Sequence, residues 1–223
     1  MVRVLVSRLA LCTAILALAG SSLFAQDART PLMSVTKGSP NIHPSQAYFP
    51  GLVKLYTNLG SKTDTYTDNT GWTISGPDSI IGSSQAIAQP YTPSADATIE
   101  GIQVAAQWAG SGTNEGAVAV FSDKNGLPGK PLKVWNVKNL PTFGTCCDLV
   151  TVKDPAGLKV NAGTQYWVVV GTDTASETAW DVWDFTWNES TGTVAYEGND
   201  STGGLWMTFD GTQSAMAIYG TIP

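Results

Sequence analysis

An all-β fold, a two-sheet antiparallel sandwich of jelly-roll-like organisation, is what this sequence predicts, and three observations carry the prediction. From Val53 onward about a dozen short runs rich in β-branched and aromatic residues follow one another, separated by Gly, Pro, Asn and Asp turn signals. No stretch sustains the 3.6-residue apolar period of a helix with caps at both ends, and no strand–helix–strand unit is visible. Charged residues are only 13% of the chain, while Gly, Ser, Thr and aromatic residues abound, which is the composition of an extracellular β protein. No repeat of fixed period occurs, so a propeller or solenoid is disfavoured.

The elements follow in chain order. Residues 1–25 have the pattern of a secretory signal peptide: Arg3 and Arg8 form a basic start and Leu9 to Ala19 an apolar run. Ala25 is the expected last residue removed, with Ala19 to Ser21 as an alternative exit. The apolar run is too short to span a membrane. Residues 26–50 read as a flexible linker, because Pro31, Pro40, Pro44 and Pro50 recur among polar residues without apolar periodicity. The single histidine, His43, lies there, where nothing supports a working imidazole.

Residues 51–223 hold the sandwich. Val53 to Tyr56 alternates apolar with polar; Trp72 to Ile74 stops at Gly76-Pro77, and Gln85 to Tyr91 stops at Pro93. Ile99 to Trp108 reads as one half-buried strand, with Ile102, Val104 and Ala106 on one face and Gln103 and Gln107 on the other. Ala117 to Phe121 feeds Asp123-Lys124-Asn125-Gly126, a hairpin signal because Asn-Gly accepts the positive φ of a tight turn, and Pro128-Gly129 closes the turn region. Leu132 to Val137, Leu149 to Val152, Tyr166 to Val170, Ala179 to Trp187, Val194 to Tyr196, Leu205 to Phe209 and Ala215 to Tyr219 complete the series.

The segment Ser122-Asp123-Lys124-Asn125-Gly126-Leu127-Pro128-Gly129 followed by Leu132 resembles the strand–turn–strand signature of bacterial choice-of-anchor R domains. Leu158 with Ala162-Gly163-Thr164-Gln165-Tyr166-Trp167, and Ala215 to Gly220, resemble that family's next segment and closing strand, so the similarity spans residues 53 to 221. The resemblance implies a secreted β-sandwich and brings no biochemical activity with it. Family members often carry a C-terminal sorting segment, and no such segment precedes Pro223.

Losing Arg3 and Arg8 with the signal peptide leaves 10 basic residues against 18 acids, a net charge of −8. Such a chain repels phosphate backbones and anionic lipid, which speaks against nucleic-acid or membrane-surface partners. The expected product is secreted, extracellular or periplasmic in a bacterium, and soluble or loosely attached.

Cys12 also leaves, so the mature chain keeps Cys146 and Cys147. Neighbouring residues of a regular strand point to opposite faces, so a bridge between them requires a kinked loop, which Phe143-Gly144-Thr145 supplies. In an oxidising compartment a vicinal disulfide is the leading reading. Two free thiols, an intermolecular bridge and metal ligation are the others, and no nearby histidine helps the last.

The second constellation runs from Trp180 to Glu189. Read as a strand, it places Asp181, Trp183, Phe185 and Trp187 on one face, and Trp180, Val182, Asp184 and Thr186 on the other. Trp180, Asp181, Trp183, Asp184 and Trp187 are therefore candidate ligand-binding residues: an exposed indole stacks on the apolar face of a sugar ring while flanking polar groups bond its hydroxyls. The competing reading buries these rings in the core. Asp181, Asp184 and Glu189 also supply carboxyls for a glycoside hydrolase, although spacing along the chain does not set the separation that chemistry needs.

A Ser-His-Asp triad would have to recruit the linker histidine, no His cluster exists for catalytic zinc, and the glycine-rich stretches lack a P-loop lysine. Asp123 and Asn125 begin like a calcium loop but lack its later ligands, whereas structural calcium at Asp173, Asp200 or Asp210 stays open. The expectation is thus a non-catalytic extracellular binding or surface-associated protein, without cofactor, with glycan as its ligand class. The alternative is a structural or assembly module of the envelope or matrix.

Overall fold

A computed structural model of the chain describes residues 49–61, 64–198 and 204–223. The signal segment, His43, almost all of the linker and Asp200 lie outside the described residues. Thirteen strands form: β1 Val53–Thr57, β2 Tyr66–Ser75, β3 Gln85–Tyr91, β4 Ala97–Val104, β5 Ala106–Ser111, β6 Glu115–Lys124, β7 Leu127–Lys138, β8 Val150–Val160, β9 Tyr166–Gly171, β10 Trp180–Thr186, β11 Thr191–Gly198, β12 Met207–Thr212 and β13 Met216–Thr221. They make the expected two-sheet antiparallel sandwich, and among the described residues there is no helix.

One sheet has four strands in the order β1-β13-β4-β8. The other has nine, in the order β5-β10-β2-β3-β9-β6-β7, with β11 pairing both β3 and β12. Between the sheets lies one apolar core whose fully buried members include Ile74, Ile87, Ile99, Ile102, Val120, Val168, Trp183 and Ile218. On β9, Tyr166, Val168 and Val170 enter this core, while Trp167 and Val169 join a second cluster with Ala88, Ala119 and Ala195 under Phe121 and Trp206. Both faces of β9 are thereby buried, as its near-continuous apolar sequence requires.

The hairpin expectation is met in detail. Lys124 pairs with Leu127 across Asn125 and Gly126, whose φ values are +58° and +79°, the signature of a two-residue primed turn. Asp123 Oδ2 accepts from the Gly126 N–H at 3.0 Å, and its Oδ1 accepts from Gln165 Nε2 at 2.8 Å and Trp167 Nε1 at 2.9 Å. Desolvation pushes the Asp123 carboxyl up, but these hydrogen bonds outweigh it and hold it below the usual range. Pro128 and Gly129, expected to close the turn, instead belong to β7.

The run from Ile99 to Trp108 is not one strand. It divides at Ala105 into β4, in the four-stranded sheet, and β5, at the edge of the nine-stranded sheet. Ala105 donates to the Ala215 carbonyl at 3.1 Å and accepts from the Asp184 N–H at 2.8 Å, which satisfies the backbone at the crossing. Both halves face the same core, so the two-residue period passes through the corner unbroken.

Gln103 and Gln107, assigned to a polar outer face, are both buried. Gln103 Oε1 accepts from the Tyr219 hydroxyl at 2.9 Å, and its Nε2 donates to Thr151 Oγ1 at 3.3 Å. Phe49, placed with the linker by sequence, is buried against Tyr219 with ring centroids 4.3 Å apart. Gly101 leaves room for that ring, since a Cβ there would collide with it.

Candidate functional site

The strand expected to carry the binding residues sits inside the larger sheet. β10 pairs with β2 along one edge and with β5 along the other. Asp181, Trp183 and Asp184 are at most 1% exposed, and Trp183 Nε1 donates to the Ala215 carbonyl at 3.0 Å. Trp180 is half-buried, with an indole nitrogen lacking a partner. Trp187 lies just past the strand and is 52% exposed. The five residues therefore do not share an accessible surface, and the expected stacking platform is not formed by Trp183.

Nor do the two carboxyls make a catalytic pair. Asp181 and Asp184 stand three residues apart on one strand and leave it on opposite faces. Burial pushes the Asp181 carboxyl up to about 8. Asp184 is raised well above the ordinary range by burial and by the charge of Asp68. Asp181 Oδ1 and both Asp184 oxygens lack a hydrogen-bond partner among the described residues. Glu189 is exposed in the turn beyond Trp187.

Cys146 and Cys147 are bonded to each other across a cis peptide. They lie in the loop between β7 and β8, where Gly144 has a φ of +84°, so the Phe143-Gly144-Thr145 kink takes the place the sequence suggested. Cys147 is buried in a small cluster with Tyr66, Ala105 and Ala215, flanked by Leu59, Cys146 and Leu149. Three buried or half-buried side chains hold this loop. Asn114 exchanges hydrogen bonds with Leu140 at 2.7 and 3.0 Å. Gln107 accepts from the Gly144 N–H at 3.0 Å and donates to the Thr145 carbonyl, and the Tyr66 hydroxyl donates to the Asp148 carbonyl at 3.1 Å. Thiol titration of protein lacking residues 1–25 is expected to find no free thiol, and gels without reductant a monomer, because buried Cys147 is out of reach of a second molecule. Two titratable thiols, or a ladder lost on reduction, would contradict the pairing.

Immediately after the cysteines, Asp148 and Leu149 enter the wall of an open groove of about 670 Å³. It runs between β7, the last strand of the nine-stranded sheet, and β8, the last strand of the four-stranded sheet. These two edges do not pair with one another; Lys133 Nζ on β7 meets Asp154 Oδ2 on β8 at 2.8 Å just beyond the groove. That ammonium, as the largest influence, holds the Asp154 carboxyl below its usual range. Trp135 is half-buried, packs against the sandwich core and lines the groove. Asn139, Asp148, Thr151, Lys138 and Lys153 also line the groove.

Nothing local sets Trp135 apart from the rest of the strand Leu132 to Val137. Its local signal, an indole on a strand interleaved with Lys133, Asn136 and Lys138, is present but common. A second groove, of about 730 Å³ and more apolar, runs along the β6–β7 hairpin to Leu205 and Trp206. Among the described residues no group of three or more His, Cys, Asp or Glu could hold a metal. Asp173 is engaged locally, with Oδ1 accepting from the Ala175 N–H at 2.9 Å and Ser176 Oγ at 2.8 Å. No helix among the described residues is long and apolar enough to cross a membrane.

Fold and site together define a class: an antiparallel two-sheet sandwich with an open groove between the edge strands of its two sheets. No family model, curated protein or solved structure matches this chain.

Proposed function

We propose that this is an exported, non-catalytic binding protein that takes a glycan in the groove between β7 and β8. The observation that carries the reading is Trp135, a half-buried aromatic residue in the lining of a groove that also includes amide, hydroxyl, carboxylate and ammonium residues. An indole fixed by packing offers a flat apolar surface to a pyranose, and such polar neighbours bond hydroxyls. Asp148 is the carboxylate among the described lining residues, which fits binding better than hydrolysis by an acid pair. The signal peptide and the likeness to choice-of-anchor R domains support an extracellular, surface-associated setting.

In a pull-down on polysaccharides, Trp135→Ala is expected to weaken retention about tenfold or more, equivalent to about 1.4 kcal/mol. Trp187→Ala, away from the groove, should bind as wild type. Failure of the parent protein to retain any glycan dismisses the proposal; equal loss in both variants moves the site elsewhere.

An assembly role has one observation in its favour. The outer edges of β1, β7 and β8 have no strand partner among the described residues, and open edges invite pairing between chains. A monomer by sedimentation at high concentration would remove that reading.

A further inference from the structure

We infer that the glycan taken by the β7–β8 groove is anionic, a polysaccharide bearing carboxylate or sulfate groups; this rests on the Trp135 reading above. The chain is acidic overall, yet its cations are not scattered. Seven lysines and no arginine occur among the described residues, and five of the seven, Lys130, Lys133, Lys138, Lys153 and Lys159, lie on β7 and β8. Edge strands carry lysines to discourage chain-to-chain pairing, which accounts for their presence on an open edge. It does not account for where their charges go.

Lys133 is neutralised by Asp154, and it lies beyond the groove. Lys138 on β7 and Lys153 on β8 both line the groove; Trp135 shares β7 with Lys138 and, three residues from it, faces the core from the opposite side of the strand. Lys138, itself exposed, meets half-buried Glu115 at 2.9 Å, and its ammonium still reaches solvent. Lys153 has no carboxylate within ion-pair reach among the described residues; its Nζ lies 5.5 Å from the centre of the Phe49 ring. An ammonium held over an aromatic ring at the side of a groove is positioned and still has donors to offer. A neutral sugar would use those donors only as hydroxyl partners. A sugar carrying an acid group would form charge-assisted hydrogen bonds with them, which are roughly twice as strong.

The acidic surroundings sharpen the selectivity. A chain of net charge −6 repels polyanions at long range, so an anionic glycan is held only where the groove's indole and ammonium groups act locally. Nucleic acid, whose bases can stack on an indole, is opposed by the same long-range repulsion of its phosphates.

The test uses the exported protein and four immobilised or titrated probes of equal length: a polyuronate, a sulfated galactan, a neutral glucan and single-stranded DNA. One of the two anionic glycans is expected to bind at least tenfold more tightly than the neutral glucan and the DNA, and which one it is identifies the acid group. Lys153→Gln with Lys138→Gln should reduce that binding to the neutral level, while Lys54→Gln, on β1, leaves it unchanged. Circular dichroism confirms folding of each variant. Equal binding of neutral and anionic glycans overturns this inference and leaves the Trp135 reading standing. No retention of either kind overturns both, and DNA bound as tightly as the best glycan overturns the inference in favour of indiscriminate polyanion binding.

Discussion

Lowering the pH from 8 to 5 is expected to raise the thermal stability of this protein, and Asp181→Asn or Asp184→Asn should flatten that dependence. Both carboxyls are sealed in the interior with oxygens that find no partner among the described residues, so their charged forms are penalised in the folded state alone. An unfolded Asp releases its proton near pH 3.9, whereas folded Asp181 keeps it until about pH 8. Between those values the native chain binds the extra proton, so stability falls as pH rises. Their contribution is fully present below about pH 4 and is lost through the folded value. For Asp181 alone the span corresponds to ~6 kcal/mol, at 1.36 kcal/mol for each pH unit. Asp184 acts in the same direction, and half-buried Glu197 adds to it. Asp123 and Asp154, whose carboxyls are held low by hydrogen bonds and Lys133, oppose the trend only in stronger acid. Asparagine stays neutral throughout, so each variant should melt several degrees above wild type at pH 8 and close to it at pH 5. A wild-type melting temperature that is flat or rises between pH 5 and 8 would contradict the assignment.

Trp183→Ala should cost about 3–5 kcal/mol, a large share of the roughly 5–15 kcal/mol that separates folded from unfolded domains. The ring is fully buried in the main core, and removing it also strips the Ala215 carbonyl of its indole donor. Trp187→Ala, four residues along the same chain segment, should stay under about 1 kcal/mol, since its ring is half in water. Urea titrations of the two variants measure the contrast directly. Comparable midpoints would mean that Trp183 is not a core residue.

Turns and face periodicity were legible without a structure. Asn125-Gly126 forms the turn its residue types demand, and every strand of the sequence reading from Val53 to Tyr219 has a counterpart in the sandwich. Local chemistry governs both: φ preference selects the turn, and alternation marks which residues share a face. Less was legible wherever a residue's partner comes from far along the chain. Gln107 looks like a solvent-facing amide until Gly144, Thr145 and Tyr66 arrive to satisfy it. Ala105 looks like mid-strand until the Ala215 carbonyl, just ahead of β13, and the Asp184 N–H, on β10, satisfy its backbone.

What the sequence determined by itself is therefore the all-β class, the order and approximate position of the strands, the tight hairpin and the kink ahead of the cysteines, because each depends on contacts within a few residues. Only the tertiary structure decided that Trp183 is sealed in the core while Trp135 reaches a groove. Trp183 and Trp135 both stand on strands with polar neighbours, but β10 is flanked by two strands and β7 by one. Period-two alternation reports the two faces of a strand and is blind to its two edges, and the edge left open is where the groove, its lysines and Trp135 are found.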